Sequence, residues 1–451
     1  MRIHFIAIGG SAMHNLAIAL QLAGHQVTGS DDEIFEPSRS RLAAYNLLPP
    51  EEGWFPEKIT KQLDAIILGM HARANNPELL KAQADGLHVM SYPEFLAAHA
   101  RDKKRVVIGG SHGKTTITSM VMHVLKELNM DFDYLVGSKV KNFDVMVRLS
   151  STAPVMVFEG DEYLSSPIDL RPKFHWYKPH LALVSGIAWD HMNVFPDFEN
   201  YKLQFEVFIR DMEPGGTLCY YSGDKVLTDI VVNHARVNVL SYDEHPNRNI
   251  EGVACLIVGD ESIPLPFFGK HNLENVNGAR LICNNLGVSD ADFYDAIQSF
   301  EGAANRLEKV YGDESFVYFR DFAHAPSKVR ATLAAVRRQF ADYRVIACFE
   351  LHTYSSLNQQ FLGQYEGALA EADAACVYFN PHALALKKLP MLDADQVKVA
   401  FKRDDLEVFN SSEKMVNWLQ NCISEKTVVL MMSSGNFDGI DHAEFAKNLS
   451  R

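Results

Sequence analysis

The stretch VVIGGSHGKTTITSMV, Val106 to Val121, constrains the fold more than any other: an apolar β-run enters a glycine-rich turn and leaves it through Lys-Thr-Thr into a helix. Such a turn predicts a phosphate cradle. Free backbone N–H groups and the positive end of the helix dipole face anionic oxygens, Lys114 reaches the outer phosphates, and Thr115 is placed to ligate Mg²⁺. Gly110, Ser111, His112, Gly113, Lys114, Thr115 and Thr116 are therefore the candidate ATP contacts. The strict phosphate-loop spacing asks for a glycine where this chain has Ile108, and the glycines gather instead at Gly109, Gly110 and Gly113. An ordinary strand-to-helix turn could also be rich in glycine. Gly-Lys-Thr-Thr between a β-run and an amphipathic helix favours the nucleotide reading.

A chain of 451 residues predicts about three domains at the usual ~150 residues each. Hydrophobic residues make up 47% of it, ample for several cores, and a net charge of −14 argues against general binding to nucleic acid or to an anionic membrane. Anionic ligands must then meet local positive sites. The six cysteines are scattered without a CxxC pair and read as reduced core thiols, which fits the cytosol. MRIHFIAIGG starts directly with a strand, and neither a signal peptide nor an apolar run of about 20 residues is evident, so a cytoplasmic location is expected.

Three α/β blocks follow. The first, residues 1–102, opens with a strand Ile3 to Ile8, the turn Gly9-Gly10-Ser11, a helix from about Ala12 to Ala23 and a strand Gln26 to Gly29. This is a Rossmann-like βαβ unit, but IGGSAMHN lacks the G-x-G-x-x-G spacing and carries Asn15 where the third glycine is needed, which disfavours NAD. Gly9, Gly10, Ser11, Ala12 and Met13 at the turn, with Ser30 and Asp31 at the end of the second strand, can still hold a diphosphate and a ribose. Arg101 to Arg105 reads as a linker or solvated helix end.

The second block, residues 103–302, carries the phosphate loop and a further cluster, EGDEY, from Glu159 to Tyr163 after an apolar strand. Asp190-His191 follows another strand, so Glu159 and His191 can converge with Thr115 on Mg²⁺ if the strands are neighbours. A helix is expected from about Leu273 to Asn285. In the third block, residues 303–451, strands Phe316 to Phe319, Tyr343 to Phe349, Ala374 to Phe379 and Thr427 to Met432 alternate with helices, as in a doubly wound sheet.

In order along the chain, GGSHGKTT, EGDEY, WDHMNVF, GKHNLENVNGA, NRLE and RDFAHAPSKV resemble the motifs of the Mur ligases, the ATP-dependent amide-forming family of peptidoglycan synthesis. The resemblance implies three domains: a UDP-sugar-binding Rossmann-like one, a central phosphate-loop ATPase, and a doubly wound C-terminal domain for the amino substrate. It also implies adenine contacts from His271, Asn272 and Asn275, an ATP-phosphate contact from Arg306, and nucleotide contacts from Asp321 and His324. His71, at a later strand end of the first block, is a further candidate contact of the sugar nucleotide. Catalysis would fall to Lys114, Glu159, His191 and Arg306.

By resemblance the donor is UDP-N-acetylmuramate. Lys173, Phe174, Tyr177 and Pro179, together with MSSGNFDGI, are similar to the member that adds L-alanyl-γ-D-glutamyl-meso-diaminopimelate in peptidoglycan recycling. ELHTYSSL, from Glu350 to Leu357, departs toward the L-alanine-adding member, and Arg320 and Ala325 depart from the usual Asp-Asp-Phe-Ala-His-His. The tripeptide is the expected acceptor and L-alanine the alternative. Several family members carry a carbamylated lysine at the end of a Y-x-x-x-K stretch. The matching run here is Tyr201-Lys202-Leu203-Gln204-Phe205, so no carbamate is expected. A folylpolyglutamate synthetase would not be expected to open with the βαβ block, and an inactive nucleotide-binding regulator is the alternative of another class.

Overall fold

The computed structural model describes residues 1–189, 194–302 and 306–450. The chain divides into two compact units: Met1–Ile187 with Asp197–Asp243 and Val276–Phe300, and Ala188–Pro196 with Glu244–Asn275 and Glu301–Arg451.

The first unit contains two parallel-strand systems. β1 (Arg2–Ile6), β2 (Gln26–Ser30), β3 (Ala65–Leu68) and β4 (Val89–Ser91) form a four-stranded parallel sheet in the order β2-β1-β3-β4. β1 stops two residues before Ile8, because Ala7 takes a left-handed φ of 68°. That bend lets the Ala7 and Ile8 N–H groups both donate to the Ser30 carbonyl, at 2.9 and 3.1 Å. The following helix runs Ser11–Leu22 and is buried from Met13 to Leu20.

The second sheet takes its strands from β5 (Lys104–Gly109), β6 (Phe132–Leu135), β7 (Val147–Arg148) and β8 (Val155–Glu159), then, beyond the hairpin of β9 (Leu164–Ser166) and β10 (Asp169–Pro172), from β11 (Leu181–Val184), β12 (Thr217–Tyr221) and β13 (Asn238–Tyr242). Their order is β13-β12-β11-β5-β8-β6-β7, parallel except for β7. Because β5 lies between β11 and β8, the residues after all three strands share one carboxyl edge, where open α/β sheets place their ligands.

Arg101–Arg105 is solvated only in part: Arg101, Asp102 and Lys104 are exposed just beyond the helix that ends at His99. Lys103 and Arg105 are buried: Lys103 pairs with Asp133 at 3.0 Å and donates to the Ser150 and Ala153 carbonyls, while Arg105 pairs with Glu213 at 2.6 Å. The charge run concealed two internal ion pairs whose partners lie far along the chain.

The second unit has a small antiparallel sheet of β14 (Asn247–Ile250), β15 (Val253–Val258) and β16 (Glu261–Pro264). Its main sheet is built from β17 (Glu308–Gly312), β18 (Phe316–Asp321), β19 (Arg344–Leu351), β20 (Ala374–Phe379), β21 (Glu407–Phe409) and β22 (Thr427–Met432), in the order β17-β18-β22-β19-β20-β21 with only β17 antiparallel. Both faces are covered. Val317 and Phe319 pack into one core with Val329 and Leu333 of the helix Pro326–Gln339, whereas Phe316 and Tyr318 pack into the other with Met415 and Leu419 of Ser412–Cys422. A strand buried on both sides needs no polar alternation, which is why β18 and β22 read as continuous apolar runs. The helix Lys270–Asn285 begins three residues before the expected Leu273, so His271, Asn272 and Asn275 lie on it.

Candidate functional site

The phosphate loop is held open by its neighbour strand. Gly110 has φ +120°, and a Cβ there would lie 2.8 Å from the Ser185 nitrogen just after β11, so only glycine fits. Ser111 N–H donates to the Gly186 carbonyl at 2.9 Å, Ser185 N–H donates to the Gly109 carbonyl at 3.1 Å, and the Ser185 hydroxyl donates to the His112 carbonyl. Gly113, left-handed at φ 72°, caps the helix Lys114–Glu127 and turns its first N–H groups toward the loop.

Lys114 and Thr115 leave this helix toward β8. The Lys114 ammonium donates to the Gly110 carbonyl at 2.7 Å and to Glu162 Oε2 at 2.6 Å. Burial alone would lower its pKa, but the charges of Glu162, Asp161 and Glu159 outweigh burial and raise it, so the ammonium stays protonated. The Thr115 hydroxyl donates to Glu159 Oε1 at 2.7 Å, and Glu159 Oε2 accepts the Gly137 N–H at 2.7 Å. Beside them Lys173 pairs with Asp161 at 2.5 Å. A hydroxyl and a carboxylate in contact form the hard-oxygen donor set that suits Mg²⁺. His191 and Asp190 lie outside the described residues. Among the described residues, no group of three or more His, Cys, Asp or Glu side chains is gathered around a metal position.

Sequence reasoning missed Glu162 and Tyr201 as members of the site. Tyr201, in the helix Phe198–Arg210, donates its hydroxyl to Glu162 Oε1 at 2.9 Å and meets the Ser111 hydroxyl at 2.8 Å. Glu162 was visible in EGDEY, but nothing in the sequence shows that a tyrosine 39 positions later reaches it. Phe205 is fully buried, edge-on to Phe174 and Tyr201, and Lys202 is bonded to Glu199 at 2.7 Å.

At the N-terminal turn, Asp31 Oδ2 accepts the Gly9 N–H at 2.7 Å, and a Cβ on Gly9 would lie 2.9 Å from that oxygen. Burial raises the Asp31 pKa to about 6, helped by the charge of Asp32 and opposed by the Gly9 N–H. The His71 ring borders Gly10, with Cδ2 3.6 Å from where a Cβ would stand. Met13 and Ser30 are buried, Ala12 is half-buried and Ser11 is exposed. Lys58, also missed from the sequence, reaches the Ser30 hydroxyl at 3.4 Å and brings a cation to this turn.

The remaining candidates fall in the second unit. Arg306 stacks its guanidinium 4.6 Å from the centre of the Phe322 ring. Asp321 accepts the N–H groups of Leu307 at 2.5 Å and Ala323 at 2.7 Å. His324 bonds the Phe322 carbonyl at 2.9 Å through Nδ1. Burial lowers the His271 pKa against the charge of Asp321, which places those two residues in one neighbourhood. Asn272 and Asn275 are buried, with Asn272 donating to the Phe268 carbonyl at 2.8 Å. A cavity of about 520 Å³ opens where β18 and β22 end, lined by Arg320, Asp321, Ser433, Asn436, Asp441 and His442 among others. Arg320 is held there through Nε by Glu308 at 2.9 Å.

A phosphate loop with a paired carboxylate on one mostly parallel sheet, in a chain that also carries a βαβ sheet and a doubly wound sheet, defines an ATP-using α/β enzyme. Comparison with known proteins carries this further: residues 2–104, 108–283 and 305–435 match the models described as "Mur ligase family, catalytic domain", "Mur ligase middle domain" and "Mur ligase, glutamate ligase domain". The chain belongs to the Mur ligase family and is an ATP-dependent, ADP-forming ligase.

It is similar to a UDP-N-acetylmuramate–L-alanine ligase of Sulfurihydrogenibium sp., with 28% identity covering 100% of this chain and 98% of the relative. It is also similar to a UDP-N-acetylmuramate–L-alanyl-γ-D-glutamyl-meso-2,6-diaminoheptandioate ligase of Haemophilus influenzae, with 26% identity covering 97% of each. The crystal structure of the UDP-N-acetylmuramate–alanine ligase of Thermotoga maritima shares the fold, with a TM-score of 0.71 and 20% identity over 100% of this chain and 98% of that one. Further relatives bear the L-alanine name. Among the described residues no helix is long and apolar enough to cross a membrane.

Proposed function

We propose that this ligase joins the lactyl carboxylate of UDP-N-acetylmuramate to the amine of L-alanine at the expense of ATP. The observation that carries this reading is the phosphate loop with Lys114 and Thr115 directed at Glu159 and Glu162, together with the names of its relatives. A carboxylate is a poor acyl donor. Its oxygen would attack the γ-phosphorus as the bond to ADP breaks, and the amine nitrogen would then attack the acyl carbon as phosphate leaves.

The chain's own part is positioning and charge. The loop N–H groups from Gly110 to Thr116 and the Lys114 ammonium would hold the phosphates, and Thr115 and Glu159 would hold Mg²⁺, which when bound neutralises phosphate charge. Arg306, Asp321 and His324, with His271, Asn272 and Asn275, are assigned to the nucleotide. Gly9, Gly10, Ser30, Asp31 and His71 are assigned to the sugar nucleotide, and residues 1–102, 103–302 and 303–451 to donor, ATP and acceptor. Nucleotide turnover that depends on both UDP-N-acetylmuramate and an amine tests the proposal. Turnover indifferent to the sugar nucleotide would overturn it and favour a regulator.

One observation supports a second reading, in which the acceptor is the tripeptide. A cavity of about 520 Å³ bearing Arg320 offers more room, and a further cation, than L-alanine needs. Competition of both amines in one ligation assay decides between them. An Arg320→Ala variant that loses peptide ligation while keeping alanine ligation would establish the second reading.

A further inference from the structure

The Lys114 ammonium has three N–H donors, and two of them are committed inside the protein, to the Gly110 carbonyl and to Glu162 Oε2. Glu162 is 1% exposed and is itself fixed from the other side by Tyr201, which is fully buried and in turn meets the hydroxyl of Ser111 within the phosphate loop. Because the Tyr201 hydroxyl donates to Glu162, its oxygen is left to accept from Ser111. The chain of bonds therefore runs Ser111 to Tyr201 to Glu162 to Lys114, beginning and ending on the phosphate loop.

We infer that Glu162 is a positioning residue for phosphoryl transfer: clamped by Tyr201, it pins the Lys114 ammonium so that its remaining N–H meets the phosphate in one fixed direction. The pin has two opposed effects. A carboxylate 2.6 Å from the ammonium offsets part of the charge that a phosphate would otherwise feel, so it weakens ground-state binding of the nucleotide. It also removes the rotational freedom of a four-carbon side chain, so the charge stands ready when it builds on the transferring group. The Ser111 link makes the loop itself part of the same rigid body.

The test is Glu162→Gln, which keeps the shape and removes the charge, read by calorimetric affinity and by turnover. This inference rests on reading the loop as the ATP site. Wild-type protein that binds neither a non-hydrolysable ATP analogue nor inorganic tripolyphosphate would sink that reading by itself. With the reading intact, the expected result is a split: affinity for both probes rises about tenfold, while kcat falls about a hundredfold. Glu162→Asp, which keeps the charge, should keep wild-type affinity. A residue needed only for structure would lower affinity and turnover together, so equal or weaker probe binding by a folded Glu162→Gln protein overturns the inference. Should that variant not fold, Tyr201→Phe retains the carboxylate and loosens it: unchanged affinity with lowered kcat is expected, and unchanged kcat overturns the inference.

Discussion

Asp31 holds one carboxylate oxygen 2.7 Å from the Gly9 N–H, which adds a side-chain bond to the two backbone bonds from Ala7 and Ile8 to the Ser30 carbonyl that tie the end of the second strand to the first turn at the proposed donor site. Burial lifts its pKa to about 6, above the ordinary carboxylate range. For a carboxyl raised on folding, the contribution to stability is full below its unfolded value near 4 and is lost as pH rises through about 6. Ligand binding runs the other way, because only the ionised form accepts two ribose hydroxyl bonds at once. Affinity for UDP-N-acetylmuramate should therefore increase from pH 5 to pH 7 with an inflection near 6. Calorimetry across that range checks it, with Asp31→Asn as control: an inflection that survives in the variant belongs to another group.

Lys114→Ala should reduce ligation by about 10²- to 10³-fold, the usual loss when one electrostatic anchor of a transferring group is removed. It should also cost stability, since Glu162 is left as a buried carboxylate without its cation. Adding Glu162→Gln to Lys114→Ala should recover most of that stability and none of the activity. Denaturant titration of the two single variants and the double variant measures the coupling, and additive stability changes would argue that the pair does not interact.

Local patterns in the sequence carried much of the architecture. The β-run, glycine turn and Lys-Thr-Thr marked the phosphate loop because that chemistry is contiguous, and β20 and β22 fall where continuous apolar runs placed them. What stayed hidden depends on distance along the chain. Tyr201 reaches Glu162 only because its helix and the end of β8 pack together, and Lys103 reaches Asp133 only because β5 and β6 flank β8. Charged residues in a row read as solvated unless their partners are known, and those partners are 30 and 108 residues away for Lys103 and Arg105. The helix start at Lys270 was missed because Lys-His-Asn has no apolar residue to mark a periodic face.

Asp133 gives that concealed network a measurable consequence. It is fully buried, with Oδ2 accepting from the Ser150 N–H at 3.0 Å, from Lys103 at 3.0 Å and bonded to His99 at 2.9 Å. Burial alone would raise its pKa, but the bonds from His99, Ser150 and Lys103 outweigh burial and hold it below the ordinary range. The sign is that of a depressed carboxyl: its stabilisation is present above the unfolded value and is lost as pH falls through the folded one. Asp133→Ala should destabilise the protein by about 3 kcal/mol at neutral pH, because Lys103 is left buried without its counter-charge. The variant should also lose part of the wild-type drop in stability below pH 4. Urea titrations at pH 7 and pH 3.5 check both, and an equal loss at the two pH values would show that the ion pair is not the cause.

Phe205 sets the last expectation, that this ligase works without a carbamylated lysine. The site where a Y-x-x-x-K stretch would end is filled by a fully buried ring, edge-on to Phe174 at 5.5 Å and to Tyr201 at 5.3 Å. A carbamate there would place a charge among aromatic rings, at a desolvation cost. Lys202, three residues earlier, cannot take over the role: it lies about 60° around the helix from that position and is bonded to Glu199 at 2.7 Å on the solvent side. Its pKa is raised, chiefly by that bond to Glu199, which disfavours the neutral amine that carbon dioxide must attack. Bicarbonate should therefore leave turnover unchanged, including after exhaustive degassing at low pH, and intact-mass measurement should find no carbamate. Phe205→Ala should cost about 4 kcal/mol through the cavity it leaves, and activity should fall with it because Tyr201 loses its packing partner. Recovery of a degassed enzyme by bicarbonate would refute the assignment, and the second anionic group near the phosphates would then have to be sought elsewhere.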